Sequence, residues 1–148
     1  MNFKSRLMAH ELLSGFTFGF FVAVQGMMIL EKGVGIWQIG LLFGTVVVST
    51  ALFELPFGAL ADIHGRIKIY RVSRVFFILA IFGIIFVSNF WLILIAMALL
   101  GTAEALNSGT VDAWAVEHIN NRGEKKKLQS YLSAFQSSLA GGLAIGAI

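Results

Sequence analysis

The chain has 148 residues, of which 57% are hydrophobic and only 13% charged, where about 25% is usual for a soluble domain. So little charge could not cover the surface of a soluble fold of this size, and the composition excludes an ordinary soluble domain, a disordered chain and a collagen-like one. The net charge is +3 and cysteine is absent, which excludes disulfides, cysteine-ligated zinc and thiol catalysis.

Uncharged apolar windows cover residues 12–30, 33–53, 75–103 and 128–148. Each reaches the roughly 18 residues needed to cross a hydrocarbon core of about 30 Å. The third window could hold one tilted helix or two helices meeting at Ser88 and Asn89, and charge chooses between them. With the N-terminus inside, the two-helix reading places Lys4, Arg6, Arg66, Lys68, Arg71, Arg74, Arg122, Lys125, Lys126 and Lys127 on the cytoplasmic side and leaves only Lys32 outside. The one-helix reading would export Arg122 and the three lysines, against the bias that orients membrane proteins. The sequence therefore predicts an all-α integral membrane protein, a polytopic bundle of about five transmembrane helices at residues 12–30, 37–60, 72–88, 90–118 and 128–148.

In that arrangement Trp37 and Trp91 both open helices at the outer face, where amphipathic rings sit at headgroup level. The basic start and first apolar run resemble a signal peptide, but no A-x-A cleavage site follows, so the segment is expected to stay. The basic residues fall in clusters between apolar runs, which points to lipid and not to nucleic acid.

With Phe90 as the outer end of the fourth helix, Glu104 lies about 21 Å along the axis at roughly 1.5 Å per residue. An acid at the helix centre costs about 2.5–3.5 kcal/mol on the insertion scale, where each Leu, Ile, Phe or Val returns about 0.3–0.6. Glu104 should therefore face protein or water, and intramembrane ionisable groups mark substrate or proton pathways. Glu104, Asn107, Ser108 and Asp112 fall within roughly 140° of one helix face, with Asp112 nearer the membrane surface. Helix 1 carries a weaker stripe of Ser14, Thr17 and Gln25, and helix 5 a third of Gln129, Ser133, Gln136 and Ser137. Three striped helices point to a shared polar cavity, although each serine or threonine taken alone fits an ordinary interhelical hydrogen bond.

Glycines four apart at 15 and 19, 40 and 44, and 142 and 146 are expected to pack helices closely. His10-Glu11 begins an H-E-x-x-H pattern, but residue 14 is serine, so one zinc ligand is missing. No G-x-x-x-x-G-K-[ST] loop is present. No enzymatic step, cofactor or metal is expected.

Residues 54–68 read Glu-Leu-Pro-Phe-Gly-Ala-Leu-Ala-Asp-Ile-His-Gly-Arg-Ile-Lys. They closely resemble the loop signature of the major facilitator superfamily: a glycine, an aspartate four residues on, then Gly-Arg and further basic residues. The resemblance assigns Gly58, Asp62, Gly65, Arg66 and Lys68 to that motif, between the second and third of twelve helices on the cytoplasmic side. Gly58 would permit close helix contact and Gly65 a positive φ. Asp62 would accept from turn amides or pair with Arg66, and Lys68, Arg71 and Arg74 would face anionic headgroups. Ile63 stands where the family often has a basic residue. Residues 107–117 resemble the inner part of helix 4 in efflux-type members, which would bring Glu117 to Asp62 and Arg66. Residues 140–146 have the glycines of the drug/proton antiporter helix 5 without its proline, so drug antiport is not supported.

The resemblance implies a secondary transporter that moves a small solute by alternating access, with this chain as the N-terminal part of a six-plus-six-helix fold. Gln25, Glu104, Asn107, Ser108 and Asp112 are expected to line the substrate and coupling cavity, with Glu104 as the proton- or cation-coupling group. Asp62, Gly65, Arg66 and Glu117 are expected to form a cytoplasmic latch. The implied partners are a small-molecule substrate, a proton or cation gradient, the lipid bilayer, and C-terminal helices from the same gene or another chain. The expected location is the plasma or inner membrane, multi-pass, with a cytoplasmic N-terminus. Two other readings fit the same residues: a complete small transporter or channel that assembles as an oligomer, and a non-transporting membrane scaffold.

Overall fold

The computed structural model describes residues 3–108 and 128–147. Among these residues five helices occur in chain order: α1 (Phe3–Glu31), α2 (Ile36–His64), α3 (Arg66–Phe86), α4 (Phe90–Asn107) and α5 (Leu128–Gly146). Among the described residues there is no strand. Among the described residues four stretches are long and apolar enough to cross a membrane, namely Met8–Glu31 within α1 and the whole of α2, α3 and α4. The fifth expected span is helical, but Gln129, Ser133, Gln136, Ser137 and Ser138 lower its apolar content, and it is not among the four.

Helix boundaries follow local chemistry. α1 begins nine residues before its expected span and α3 six before, because a helix continues through flanking basic residues that an apolar window excludes. The 75–103 window is two helices. α3 ends at Phe86, and Asn89 caps α4 by accepting from the amides of Trp91 at 2.9 Å and Leu92 at 3.4 Å. At the start of α2, the Gln38 side chain reaches back to the Gly35 amide at 2.8 Å. α2 then runs through Pro56 without a break in helical assignment.

The chain divides into two units, Met1–Met28 with His118–Ile148, and Ile29–Glu117. In the first unit, α1 and α5 meet along glycines. A Cβ on Gly15 would fall 2.5 Å from the Leu139 carbonyl, and one on Gly19 would fall 2.5 Å from that of Leu143. The reverse contacts place Gly142 against Leu12 and Phe16, and Gly146 against Phe16 and Phe20. Residue numbers rise together along this seam, so the two helices are parallel. In contrast, a Cβ on Gly40 or Gly44 would meet nothing within 4 Å, and this third glycine pair packs no helix among the described residues.

In the second unit, α4 packs against both α2 and α3. Ile93, Met97 and Leu100 of α4 are buried with Leu42 and Val46 of α2 and Ala80 and Ile84 of α3. Ala61, Ile69 and Leu106 form a further cluster near the C-terminal end of α4, flanked by Phe57 and Phe76. Lipid tails are as apolar as these side chains, so burial itself supplies little drive. Close packing of small residues and hydrogen bonds between helices must do so. Gly101 shows this directly, since a Cβ there would enter the Val46 carbonyl and lie 2.9 Å from the Ser49 side chain. Outward-facing Val47, Val48, Leu52 and Leu55 are exposed, as suits helices solvated by lipid.

Candidate functional site

Along the α2–α4 contact the two helices run parallel, in steps of about one turn. Val46 meets Gly101, Thr50 meets the turn of Gly101 and Glu104, and Glu54 meets Ser108. The Thr50 hydroxyl lies 2.9 Å from the Val46 carbonyl and 3.1 Å from the Gly101 carbonyl, and it also hydrogen-bonds the Glu104 side chain. One hydroxyl carries one proton, so these three acceptors compete for it. Glu104 is half-buried between helices and does not face outward, as its depth requires.

The other two described members of the α4 stripe are also engaged. Arg74 of α3 donates from Nη2 to the Asn107 side-chain oxygen at 3.1 Å, and the Ser108 hydroxyl donates to Glu54 Oε1 at 2.6 Å. Asn107 and Ser108 thus tie α4 to α3 on one side and to α2 on the other. Asp112 lies outside the described residues.

Arg74 does not face the headgroups as its place in the basic cluster suggests. Its guanidinium lies over the Tyr70 ring, 4.5 Å from the centroid, and its Nε is buried without a hydrogen-bond partner among the described residues. The neighbouring Lys68 and Arg71 are exposed. Position decides the difference: Arg74 lies two turns into α3, on the side that packs against α4.

At the junction of α2 and α3, Arg66 donates to Asp62 Oδ1 at 2.7 Å. Gly65 between them has φ +91°, a conformation that side chains with a Cβ rarely adopt, and its amide closes α2 by donating to the Ala61 carbonyl at 3.0 Å. Asp62 sits in the last turn of α2 and Arg66 in the first turn of α3, and each charge opposes the dipole of its own helix. Pairing offsets that cost, so the two residues are poor helix caps individually and complementary together. Gly58 has no close neighbour: a Cβ there would meet nothing within 4 Å, so the expected helix contact is absent among the described residues. Glu117, the third expected member of the latch, lies outside the described residues.

In the first unit, Gln25 is 2% exposed and has partners of its own. Glu11 is also buried, with His10 Nδ1 2.8 Å from its carboxylate. Among the described residues, no group of three or more His, Asp or Glu could hold a metal ion.

Sequence reasoning singled out neither Thr50 nor Glu54, and it misplaced Arg74. Glu54 was legible by the logic that marks Glu104, because it is a lone acid inside an apolar helix. It is hidden when the apolar window is simply ended at Phe53. Thr50 carries no comparable signal.

Apolar helices long enough to cross a membrane, tied across their faces by polar side chains, define a multi-pass membrane protein. The chain belongs to the major facilitator superfamily, whose family model matches residues 8–148. It is similar to an uncharacterized MFS-type transporter of Bacillus subtilis, 28% identical over 103 residues, covering 69% of this chain and 26% of the relative. It is also similar to a D-xylose transporter of Levilactobacillus brevis, 28% identical over 109 residues, covering 71% and 24%. A third relative, an uncharacterized MFS-type transporter of Methanocaldococcus jannaschii, is 26% identical over 129 residues, covering 86% and 32%. The chain thus spans about a quarter to a third of the length of these relatives. No solved structure matches.

Proposed function

We propose that the chain contributes the first helices of a secondary transporter that moves a small solute across a cell membrane by alternating access, coupled to a proton or cation gradient. The observation that carries this reading is Glu104, an acid held half-buried between membrane helices and bonded to Thr50 of the neighbouring helix. A lipid-facing scaffold has no need of such a group, which is expensive to place in a membrane. Glu104 supplies the coupling site in this reading, and Asp112 is proposed to line the same cavity. Asn107 and Ser108 are proposed to line that cavity as well, held in this structure by Arg74 and Glu54. Alternating access needs two bundles rocking about a central site, so the remaining helices come from the same polypeptide or from a partner chain. The N-terminus is cytoplasmic in this reading, and the likeness of residues 107–117 to efflux-type members favours export.

The first solute to test is D-xylose, because one relative carries it. Proteoliposomes holding the product of the full reading frame should show saturable D-xylose exchange whose rate depends on pH, and Glu104→Gln should flatten that dependence. Unchanged rate and unchanged pH dependence in Glu104→Gln would remove the coupling role. The 148 residues alone should show no saturable uptake. Saturable uptake by them that is abolished in Glu104→Gln would instead establish a small oligomeric transporter.

A further inference from the structure

We propose that Glu54 and Arg74 are positioning residues for Glu104, which clamp the C-terminal end of α4 from α2 and α3 and so fix the direction in which the Glu104 turn faces. Asn107 and Ser108 follow Glu104 by three and four residues, so they lie directly below it on the same helix face. Arg74 holds the first and Glu54 holds the second. Two bonds from different helices, at adjacent positions of one turn, oppose rotation of that turn about the α4 axis in either direction. One bond alone would oppose rotation in one direction only. On α2, Thr50 and Glu54 are themselves one turn apart, so the contact to Glu104 and the clamp below it are set by one rigid helix face.

The choice of residues argues for a role beyond holding helices together. Glu54 sits beside the C-terminal end of α4, where the helix dipole already places partial negative charge. A serine, threonine or lysine there would give a hydrogen bond without that opposition. Arg74 has its Nε buried with no hydrogen-bond partner among the described residues, a cost that a purely structural contact would shed by substitution to a smaller donor. An acid and a base on opposite sides of one helix end are suited to an arrangement that is made in one state and released in another.

The proposal rests on the reading of Glu104 as the coupling group, but its test needs no transport. The protein has no cysteine, so Thr50→Cys with Glu104→Cys gives one thiol pair, and a short bis-methanethiosulfonate linker reports whether the two positions face each other. Linking should be equally fast in the otherwise unchanged protein, with Glu54→Gln and with Arg74→Lys, which keep an acceptor and a donor. It should slow by about threefold or more with Glu54→Leu or Arg74→Leu, the factor corresponding to one interhelical hydrogen bond of average strength in a membrane. Adding Ser108→Ala to Glu54→Leu should slow it no further, because both remove one bond. Where a leucine variant does not fold, Ser108→Ala and Asn107→Leu remove the same bonds from the α4 side. Equal linking rates in every variant would overturn the proposal, as would Glu54→Gln slowing it as much as Glu54→Leu. A slowed link with normal transport by Glu104→Gln would retire the coupling role and keep the clamp.

Discussion

Lys32 and Val87 are joined by a 2.6 Å hydrogen bond from the ammonium to the carbonyl, and the same Nζ donates to the Ile85 carbonyl at 2.8 Å and to that of Ile84. The last carbonyls of a helix have no partner within it, and the positive charge suits the negative end of the dipole. Lys32 is therefore occupied as a cap for α3, with all three donors engaged.

Replacing Lys32 should consequently cost stability. Lys32→Met keeps much of the length and removes the donors, leaving the end of α3 unsatisfied, for which about 1.5–3 kcal/mol is the scale of a hydrogen bond to a charged group. Thermal unfolding in detergent micelles should show a lower midpoint for Lys32→Met. An unchanged midpoint would mean that water or lipid headgroups satisfy the carbonyls equally well.

Gly101 and Gly40 offer a matched pair. A methyl on Gly101 would enter the Val46 backbone and the Ser49 side chain, whereas one on Gly40 meets nothing within 4 Å. Gly101→Ala should push α2 from α4 and destabilise by about 1–3 kcal/mol, the usual scale of overpacking. Gly40→Ala should be neutral or slightly stabilising, since alanine has the better helix propensity. The difference in unfolding midpoint between the two variants is the measurement, and similar midpoints would contradict the close α2–α4 approach.

Orientation is open to a direct check. Single cysteines at Ser88 and at His64, both exposed at opposite ends of α3 and α2, should be labelled by an impermeant maleimide from outside and from inside the cell respectively. The motivation is the concentration of Lys and Arg at the His64 end. Labelling of both from one side would rule out the proposed topology.

Much of the helix order was legible because the bilayer imposes it: long apolar runs must be helices, and the distribution of Lys and Arg chooses how they alternate. Glu104 was legible for the same reason, as an acid in an apolar run carries its own cost. What could not be read was which face of a helix meets which neighbour. Gly101 lies outside any G-x-x-x-G pattern yet makes a tight contact, while Gly40 and Gly44 have the pattern and no close neighbour among the described residues. Arg74 reads as one more cation in a basic cluster, and only its position on the α4-facing side of α3 turns it inward. The same ambiguity hid the Glu54–Ser108 bond, which depends on α2 and α4 running parallel in register.

The Asp62–Arg66 pair supports a last prediction, that it works in a conformational latch and contributes little to stability. The Asp62 side chain is exposed and that of Arg66 partly so, at 63% and 31%, and the spacing is i to i+4 across the α2–α3 junction. Solvent-accessible pairs are worth about 0.2–1 kcal/mol, so Asp62→Asn should leave the amount of inserted protein and its unfolding midpoint nearly unchanged. Each charge opposes the dipole of the helix that carries it, so the pair is retained at a small cost to both helices. That arrangement makes sense where the bond is exchanged for another as helices move, with Glu117 proposed as the alternative partner of Arg66. Transport by the full-length protein should therefore fall in Asp62→Asn although insertion is normal. Charge exchange discriminates: Asp62→Arg combined with Arg66→Asp restores the pair with reversed sense, now favourable to both helix ends, and should recover part of the lost activity. If neither that exchange nor Arg66→Glu with Glu117→Arg exceeds the single variants, pairing plays no part in the cycle and Asp62 serves the turn alone.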